Sequence, residues 1–181
     1  MANFLGNVLP NYAIIRWQIS RLYQLEPFVD PIDRKIVREL QADGRLTNQE
    51  LADRVGLSPS PCLRRVRNLE KAGVITGYAA LVDPAAYGLA ITAFVRIRLE
   101  RHTGASVVEF EKGISNVDEI LECHLMTGEY DYLLRVVVAS LEAYEDFMRK
   151  KIHAIPGIGS IDTSFSFSTI KSTHVYPRVV E

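Results

Sequence analysis

A group of basic and amide side chains lies in the first half of the chain at helical spacing. Arg64, Arg67 and Asn68 are three and four positions apart, which gathers them on one side of a helix. Ser58 and Ser60 precede them, and small polar residues at a helix start let the backbone approach a ligand closely. Guanidinium groups bind phosphates and guanine edges. This pattern predicts a helix that enters the major groove of DNA. The alternative is a solvated basic face on a small helical bundle.

Helix signals around this group predict a helix-turn-helix. Asp30-Pro31-Ile32-Asp33 can cap and start a first helix, and Thr47-x-x-Glu50 is a capping box for a second. Val55-Gly56-Leu57 is a tight turn, and Ser58-Pro59 starts the third helix, which carries the arginines. We expect an inner stripe on this third helix of Cys62, Leu63, Val66 and Leu69. Val74–Tyr78 should then form a short strand and turn, the wing of a winged helix-turn-helix.

The second half of the chain has the patterns of a mixed domain. Alternating apolar residues predict a strand near 91–99, a hairpin of 120–126 and 132–139, and a last strand near 161–169. Between them, Val107, Val108, Phe110, Glu111 and Ile114 lie at helical spacing. Ser140 can cap a second helix, which contains Leu141. The order βαββαβ predicts a ferredoxin-like antiparallel sheet with both helices on one face.

One face of that sheet is left bare, because two helices cover only one side. In the third strand, Leu133, Val137 and Ala139 would face one side, and the other side would carry Tyr132, Leu134, Val136 and Val138, so apolar residues lie on both faces. Covering apolar surface is favourable by about 25 cal/mol per Å². The sheet of a second copy is the simplest cover and predicts a two-fold homodimer, which suits two-fold DNA sites. The alternative is that the N-terminal extension folds over this face.

Composition excludes several classes of protein. No apolar run approaches the ~18 residues of a membrane span, and the two cysteines are too far apart in sequence for a closely spaced metal motif. The four histidines are scattered, and no catalytic motif or nucleotide fingerprint is present. Adjacent Cys123 and His124 would point to opposite faces of a strand and could not act as a nucleophile–base pair. We therefore expect no catalytic residue, metal or cofactor, and a cytoplasmic protein.

Charge divides the chain, although the net charge is only −1. Residues 28–78 hold nine Lys/Arg against seven Asp/Glu, whereas residues 79–181 hold ten against fourteen. DNA contact is therefore expected in the first part. Residues 1–27 differ from both parts. They are either a poorly ordered extension or carry an amphipathic helix between Tyr12 and Leu25 that packs on a partner subunit, and the sequence does not choose.

The same motifs resemble a known family. The sequence is similar to the leucine- and asparagine-responsive (Lrp/AsnC, feast/famine) regulators from about residue 30 to residue 176, through the segments Asp33–Ile36, Gly44-Arg45, Val55–Arg67 and Gly73–Tyr78. The resemblance implies a DNA-binding transcriptional regulator that dimerises through its second domain and builds tetramers, octamers or larger rings. It also implies pseudo-palindromic promoter sites in double-stranded DNA.

The resemblance further implies an amino-acid effector site between dimers. Gly128-Glu129-Tyr130-Asp131 resembles the family's turn, in which a carboxylate can bind an ammonium group while backbone amides bind a carboxylate. Ser164 and Ser166 stand where relatives often carry bulky apolar residues, which puts leucine itself in doubt as the ligand. The alternative is that this turn is only a hairpin turn, since some relatives respond to no known ligand. The residues carried over are Leu125, Thr127, Gly128, Glu129, Tyr130, Asp131, Leu141, Ser164 and Ser166.

Taken together, the sequence predicts an amino-acid-responsive transcriptional regulator that controls amino-acid metabolism. Its expected parts are an extension (1–27), a winged helix-turn-helix (28–78), a linker (79–89) and an effector-binding and dimerisation domain (90–181). An architectural DNA-compacting protein of the same fold is one alternative. A tetrapyrrole decarboxylase of related architecture, using histidines such as His124, is another. The predicted DNA-binding residues are Thr47, Asn48, Gln49, Ser58, Ser60, Pro61, Arg64, Arg65, Arg67 and Asn68.

Overall fold

Three short helices form where side chains cap their first turns. In the computed structural model, which describes residues 29–101 and 103–178, they are α1 (Pro31–Ala42), α2 (Asn48–Val55) and α3 (Pro59–Lys71). Asp30 Oδ1 accepts a hydrogen bond from the Asp33 amide at 2.8 Å. Thr47 and Glu50 form the reciprocal capping box. The three predicted helices are confirmed. The predicted extension, 1–27, lies outside the described residues.

The helices close around a small apolar core. Gly56 has φ +78°, a left-handed conformation that glycine adopts without strain, and it turns the chain from α2 to α3. The prediction that Leu63 faces inward is wrong, since 37% of this residue is exposed. The fully or nearly fully buried residues are Ile36, Leu51, Ala52, Val55, Cys62 and Leu69.

The segment after α3 differs from its prediction. Val74 and Ile75 form a bend, and residues 76–80 form neither helix nor strand, so the short strand predicted for the wing is not present. The amides of Val74 and Ile75 both donate to the Leu69 carbonyl, at 2.9 and 3.2 Å. These two donors satisfy the last turn of α3 and are not available for a strand ladder.

The second part of the chain forms four strands and two helices in the order βαββαβ. The elements are β1 (Ile91–Leu99), α4 (Gly104–Ile114), β2 (Ile120–Leu125), β3 (Tyr132–Val138), α5 (Leu141–Phe147) and β4 (Ile158–Phe165). The strands form one antiparallel sheet in the order β2-β3-β1-β4. Helix α4 joins β1 to β2, and α5 follows β3 and continues into one π-helical turn, Met148–Ile152, before β4. The predicted ferredoxin-like arrangement is confirmed.

One face of the sheet carries the core of this domain. Val95, Ile97 and Leu134 are fully buried there and pack in one cluster with Phe110 of α4 and Phe147 of α5. Both helices therefore cover the same face, as predicted. The helix predicted from the spacing of residues 107–114 is confirmed as α4. Val107, Phe110 and Ile114 pack against the core, whereas Val108, which is 64% exposed, and Glu111 lie on the outer side.

The opposite face of the sheet has a mixed surface. Phe94 of β1 lies there, 37% exposed, opposite Ser164 of β4 in the ladder. An ion pair joins Arg96 to Asp162, and a second one joins Arg135 to Glu122. We call this surface, centred on Phe94, the open sheet face.

The last strand ends earlier than the sequence indicates. β4 stops at Phe165, so the predicted continuation to Thr169 is wrong. The Ser166 amide still donates to the Thr92 carbonyl at 2.9 Å, which is the last backbone bond to β1 in this direction. The alternation of apolar and polar residues continues beyond this point, but β1 starts at Ile91 and offers no further partner.

The described chain separates into two compact units. The first contains residues 29–80 and the tail 171–178, and the second contains residues 81–170 without the undescribed position 102. The chain therefore returns to the helix-turn-helix unit after it completes the sheet. Within the described ranges, no helix combines the length and the apolar character that a membrane crossing requires.

Candidate functional site

The outer face of α3 presents the predicted DNA-binding side chains. Ser60, Arg64 and Arg67 are exposed and recur at spacings of four and three, so they share one face of the helix. Asn68 is exposed beside them. Leu63 belongs to the same face, because it stands three positions after Ser60. Sequence reasoning missed it by assigning it to the core, although its spacing from Ser60 and Arg67 was a usable signal.

The charges on this face are not compensated within the helix-turn-helix unit. Among the described residues, Arg64 and Arg67 have no hydrogen-bond or ion-pair partner. A guanidinium without an internal partner retains all its donors for phosphate oxygens or guanine edges. The exposed Leu63 side chain offers an apolar contact of the kind that recognises a thymine methyl group.

Arg65 has a different environment from the other two arginines. Its Nη1 lies 2.6 Å from Asp30 Oδ2 and 2.9 Å from Asp33 Oδ1, so it pairs with the first turn of α1. The structure therefore does not bring Arg65 onto the surface shared by Arg64 and Arg67. The Asp33 amide and the Arg65 guanidinium hold the pKa of Asp30 below its ordinary value.

Replacing Arg65 with glutamine should lower stability slightly at neutral pH. Exposed ion pairs contribute less than about 1 kcal/mol. Because the folded pKa of Asp30 is lowered, its contribution is present above the unfolded value and is lost as the pH falls through the folded value. The free energy of unfolding measured in urea should therefore be lower for Arg65→Gln than for the parent at pH 7, and the difference should be smaller at pH 3. Arg45→Gln, at an exposed turn, is the control; an equal difference at both pH values would contradict the assignment.

The predicted residues of α2 are bonded inside the unit. Thr47 caps the helix, and Gln49 Nε2 donates to Asp53 Oδ1 at 3.1 Å. Asn48 Nδ2 donates to the Pro59 carbonyl at 2.9 Å, which ties the start of α2 to the start of α3. Its Oδ1 is buried and has no hydrogen-bond partner among the described residues.

Two of the predicted DNA-binding residues, Ser58 and Pro61, lie at the start of α3. Ser58 is the N-cap residue and is exposed, but its side chain makes no capping bond, so its hydroxyl is available to a ligand. Pro61 is half-buried in the first turn. It is tolerated there because first-turn amides have no intrahelical acceptor.

The predicted effector turn joins β2 to β3. Leu125 ends β2, and Thr127, Gly128 and Glu129 are exposed, while Tyr130 is half-buried. Gly128 has φ +122°, which side chains rarely adopt. The exposed carboxylate of Glu129 and the free backbone of this turn are the groups that a zwitterion could contact.

Asp131 is buried beneath this turn and holds it in place. It is 7% exposed, and its Oδ2 accepts the Leu99 amide at 2.8 Å. Its own amide donates to the Ile97 carbonyl, and its carbonyl accepts from Met126. Asp131 therefore anchors the turn to the centre of the sheet.

The remaining predicted effector residues lie at the other end of the sheet. Tyr132, which follows the turn, pairs with Ile97, whereas Ser166 bonds to Thr92 and Ser164 pairs with Phe94. The five residues of strand from Ile97 to Thr92 correspond to about 17 Å, and the three from Ile97 to Phe94 to about 10 Å. Leu141 is exposed at the start of α5, just after Val138 pairs with Ile91. Within one protomer, the structure does not bring this set to the turn.

The cysteine and histidine of β2 do not form a catalytic pair. Cys123 pairs with Leu134 and His124 with Leu133, so the two side chains point to opposite faces, as predicted. Burial raises the pKa of the Cys123 thiol to about 11. It is therefore protonated at neutral pH. Among the described residues, no cluster of side chains could hold a metal ion.

Comparison with known proteins agrees with this two-part organisation. Residues 29–76 match the model of the winged helix-turn-helix DNA-binding family, and residues 92–176 match that of the Lrp/AsnC ligand-binding domain. The leucine-responsive regulatory protein of Escherichia coli K12 is 40% identical over 146 residues, which are 81% of this chain and 89% of that protein.

Two solved structures give the same result. A transcriptional regulator from Neisseria meningitidis in complex with L-methionine is 39% identical with a TM-score of 0.78, covering 82% of this chain and 96% of the other. A feast or famine regulatory protein from Mycobacterium tuberculosis, also complexed with L-methionine, is 38% identical with a TM-score of 0.72 and covers 79% and 95%.

Proposed function

This chain belongs to the Lrp/AsnC family of DNA-binding transcriptional regulators, and we propose that it binds promoter DNA as a dimer whose assembly responds to an amino acid. The observation that carries the DNA-binding part is the face of α3. There Arg64 and Arg67 are exposed and lack partners within the described chain, beside Ser60 and Leu63. We assign base and phosphate contacts to this face. Thr47, Asn48, Gln49 and Arg65 hold α2 and α3 in position.

The dimer follows from the open sheet face. Phe94 is a large apolar side chain at the centre of this face, and both helices lie on the other side. Arg96 is paired with Asp162 and Arg135 with Glu122 within one protomer, so these four charges would not be buried unpaired when a second sheet approaches. A two-fold pair presents two copies of α3, which fits half-sites about 34 Å apart or a multiple of that distance.

The ligand is proposed to be an amino acid bound between subunits. Two relatives have been solved with L-methionine. In this chain, Ser164 lies about 10 Å and Ser166 about 17 Å along the strand from the end of β3 that follows the turn, and Leu141 follows the far end of β3, so one amino acid cannot touch the turn and this whole set. A single ligand can contact both sets only if they come from different protomers. Ligand binding would then favour one assembly over another and change operator affinity by linkage.

Roles within the turn follow from burial. Glu129 is exposed and is assigned to the ligand ammonium, whereas Asp131 positions the turn through the Leu99 amide. We expect Asp131→Ala to remove the amino-acid response and also to destabilise the protein by about 1–3 kcal/mol, because a buried amide loses its acceptor. Glu129→Gln should reduce the response and leave the stability of the ligand-free protein unchanged.

The test is thermal unfolding and size measurement with each of the twenty amino acids, on the parent and both variants. Glu142→Gln, an exposed carboxylate at the start of α5, is the matched control. If no amino acid changes either the melting temperature or the assembly size, the effector proposal fails. If Glu129→Gln responds like the parent, the ammonium contact lies elsewhere.

An architectural DNA-compacting role is the second candidate for this fold. Such a role would need only phosphate contacts, whereas the exposed Leu63 beside the arginines favours contacts with base edges. Footprinting on the protein's own upstream DNA separates the two. A bounded footprint supports a regulator, and uniform protection supports compaction. The relatives named above are transcriptional regulators, which favours a non-enzymatic role over tetrapyrrole chemistry.

A further inference from the structure

A groove of about 830 Å³ lies in the helix-turn-helix unit, away from the residues assigned to DNA or effector. Its apolar lining comes from Val29 just before α1, Val37 on α1, Val74 after α3, and Pro177 in the C-terminal tail. This volume is in the range of small-molecule sites, which are typically apolar with a few polar groups that orient the ligand.

The C-terminal tail forms one wall of the groove. The Tyr176 amide donates to Gln41 Oε1 at 3.2 Å, and Arg38 Nη1 approaches the Tyr176 carbonyl at 3.5 Å. These contacts hold the tail along α1. The groove is thus built from α1 and its preceding residues, Val74 and the tail, three segments that are far apart in sequence.

The polar groups of the lining are mostly cationic. Lys35, Arg38 and Arg178 contribute positive charge. Glu39 is the one carboxylate among the described lining residues, and it pairs with Arg54 at 3.4 Å. The groove therefore combines an apolar interior with uncompensated positive charge.

We propose that this groove binds an amphipathic carboxylate, a small organic acid with an apolar chain or ring. The apolar part of such a ligand would displace water from Val37, Val74 and Pro177. The carboxylate would lie beside Lys35 and Arg178. A zwitterionic amino acid fits less well, because its ammonium group would be placed among like charges. A bare phosphate leaves the apolar lining unfilled.

Calorimetric titration of the full chain with sodium octanoate tests the proposal. Octanoate should bind at least tenfold more tightly than octylammonium, which has the same chain and the opposite charge, or acetate, which has the charge without the chain. Lys35→Gln should weaken octanoate binding about threefold to tenfold. Val74→Glu, at an exposed position, should abolish it. Lys112→Gln on α4 is the matched control and should bind like the parent.

Five outcomes would overturn the proposal. Equal binding of octylammonium or acetate would remove the chemical selectivity. Unchanged affinity in both Lys35→Gln and Val74→Glu, each folded by circular dichroism, would place octanoate elsewhere. Displacement of octanoate by L-methionine would assign it to the effector site, and displacement by operator DNA would make the groove a DNA contact. Binding only after deletion of residues 1–28 would make that segment the natural occupant.

Discussion

Replacing Arg64 and Arg67 together with alanine should weaken operator binding by at least two orders of magnitude. Each arginine that reads a guanine provides about 1–3 kcal/mol of discrimination, and a dimer presents each one twice. Neither side chain has a partner within the described chain, so its removal leaves no internal group unsatisfied. The loss should therefore appear in DNA affinity and not in the free energy of unfolding. Fluorescence anisotropy on the protein's own upstream DNA at fixed salt measures it.

The single variants separate base reading from phosphate contact. An arginine that reads a base should lose affinity for the operator far more than for random DNA. An arginine that contacts phosphate should weaken both alike and lower the salt slope by about one per contact. Arg101→Ala, an exposed arginine of the second unit, is the control. Operator affinity equal to the parent's in the double variant would contradict the assignment of α3 to the major groove.

Replacing Phe94 with aspartate should convert the dimer to monomers at micromolar concentration. Phe94 lies at the centre of the open sheet face, where a second copy would bury it. A buried carboxylate without a partner costs several kcal/mol, and the two-fold axis places it twice in one interface. The nearby cation, Arg96, is already paired with Asp162 and cannot compensate. Operator affinity should fall as well, because one α3 contacts only one half-site.

Sedimentation analysis provides the measurement, and the other side of the domain provides a control. Val108→Asp introduces the same charge on α4 at a position that is 64% exposed, so it should remain dimeric. A Phe94→Asp protein that sediments as the parent does would show that the open sheet face is not the interface. In that case, the alternative cover by residues 1–27 would become the favoured explanation.

Local features were predictable because their causes are close together in sequence. The caps at Asp30, Thr47 and Ser140 need only a side chain and an amide three residues on, and all three form as expected. The alternation in β1 likewise identifies the buried face of the sheet. The width of a buried helical stripe was less predictable. Leu63 is apolar and follows the buried Cys62, but 37% of it is exposed.

The wing strand and the end of β4 show why the extent of a strand is hard to predict from the sequence. A strand requires a partner with free amides and carbonyls, and no local pattern reports one. The amides of Val74 and Ile75 are used by the end of α3, and β4 ends where β1 begins. In both cases the sequence had strand-like composition, and the absence of a partner decided the outcome.

By itself, the sequence determined the helix-turn-helix, the βαββαβ order and the exposed arginines of α3, because capping, alternation and helical spacing act over a few residues. Only the tertiary structure decided that Arg65 pairs with Asp30 and Asp33, more than thirty positions away, and does not join Arg64 and Arg67. It also decided that Asp131 lies buried against Leu99, and that Ser164 and Ser166 lie at the far end of the sheet from Gly128. These relations depend on strand register and helix docking, which many distant contacts set together and no short segment encodes.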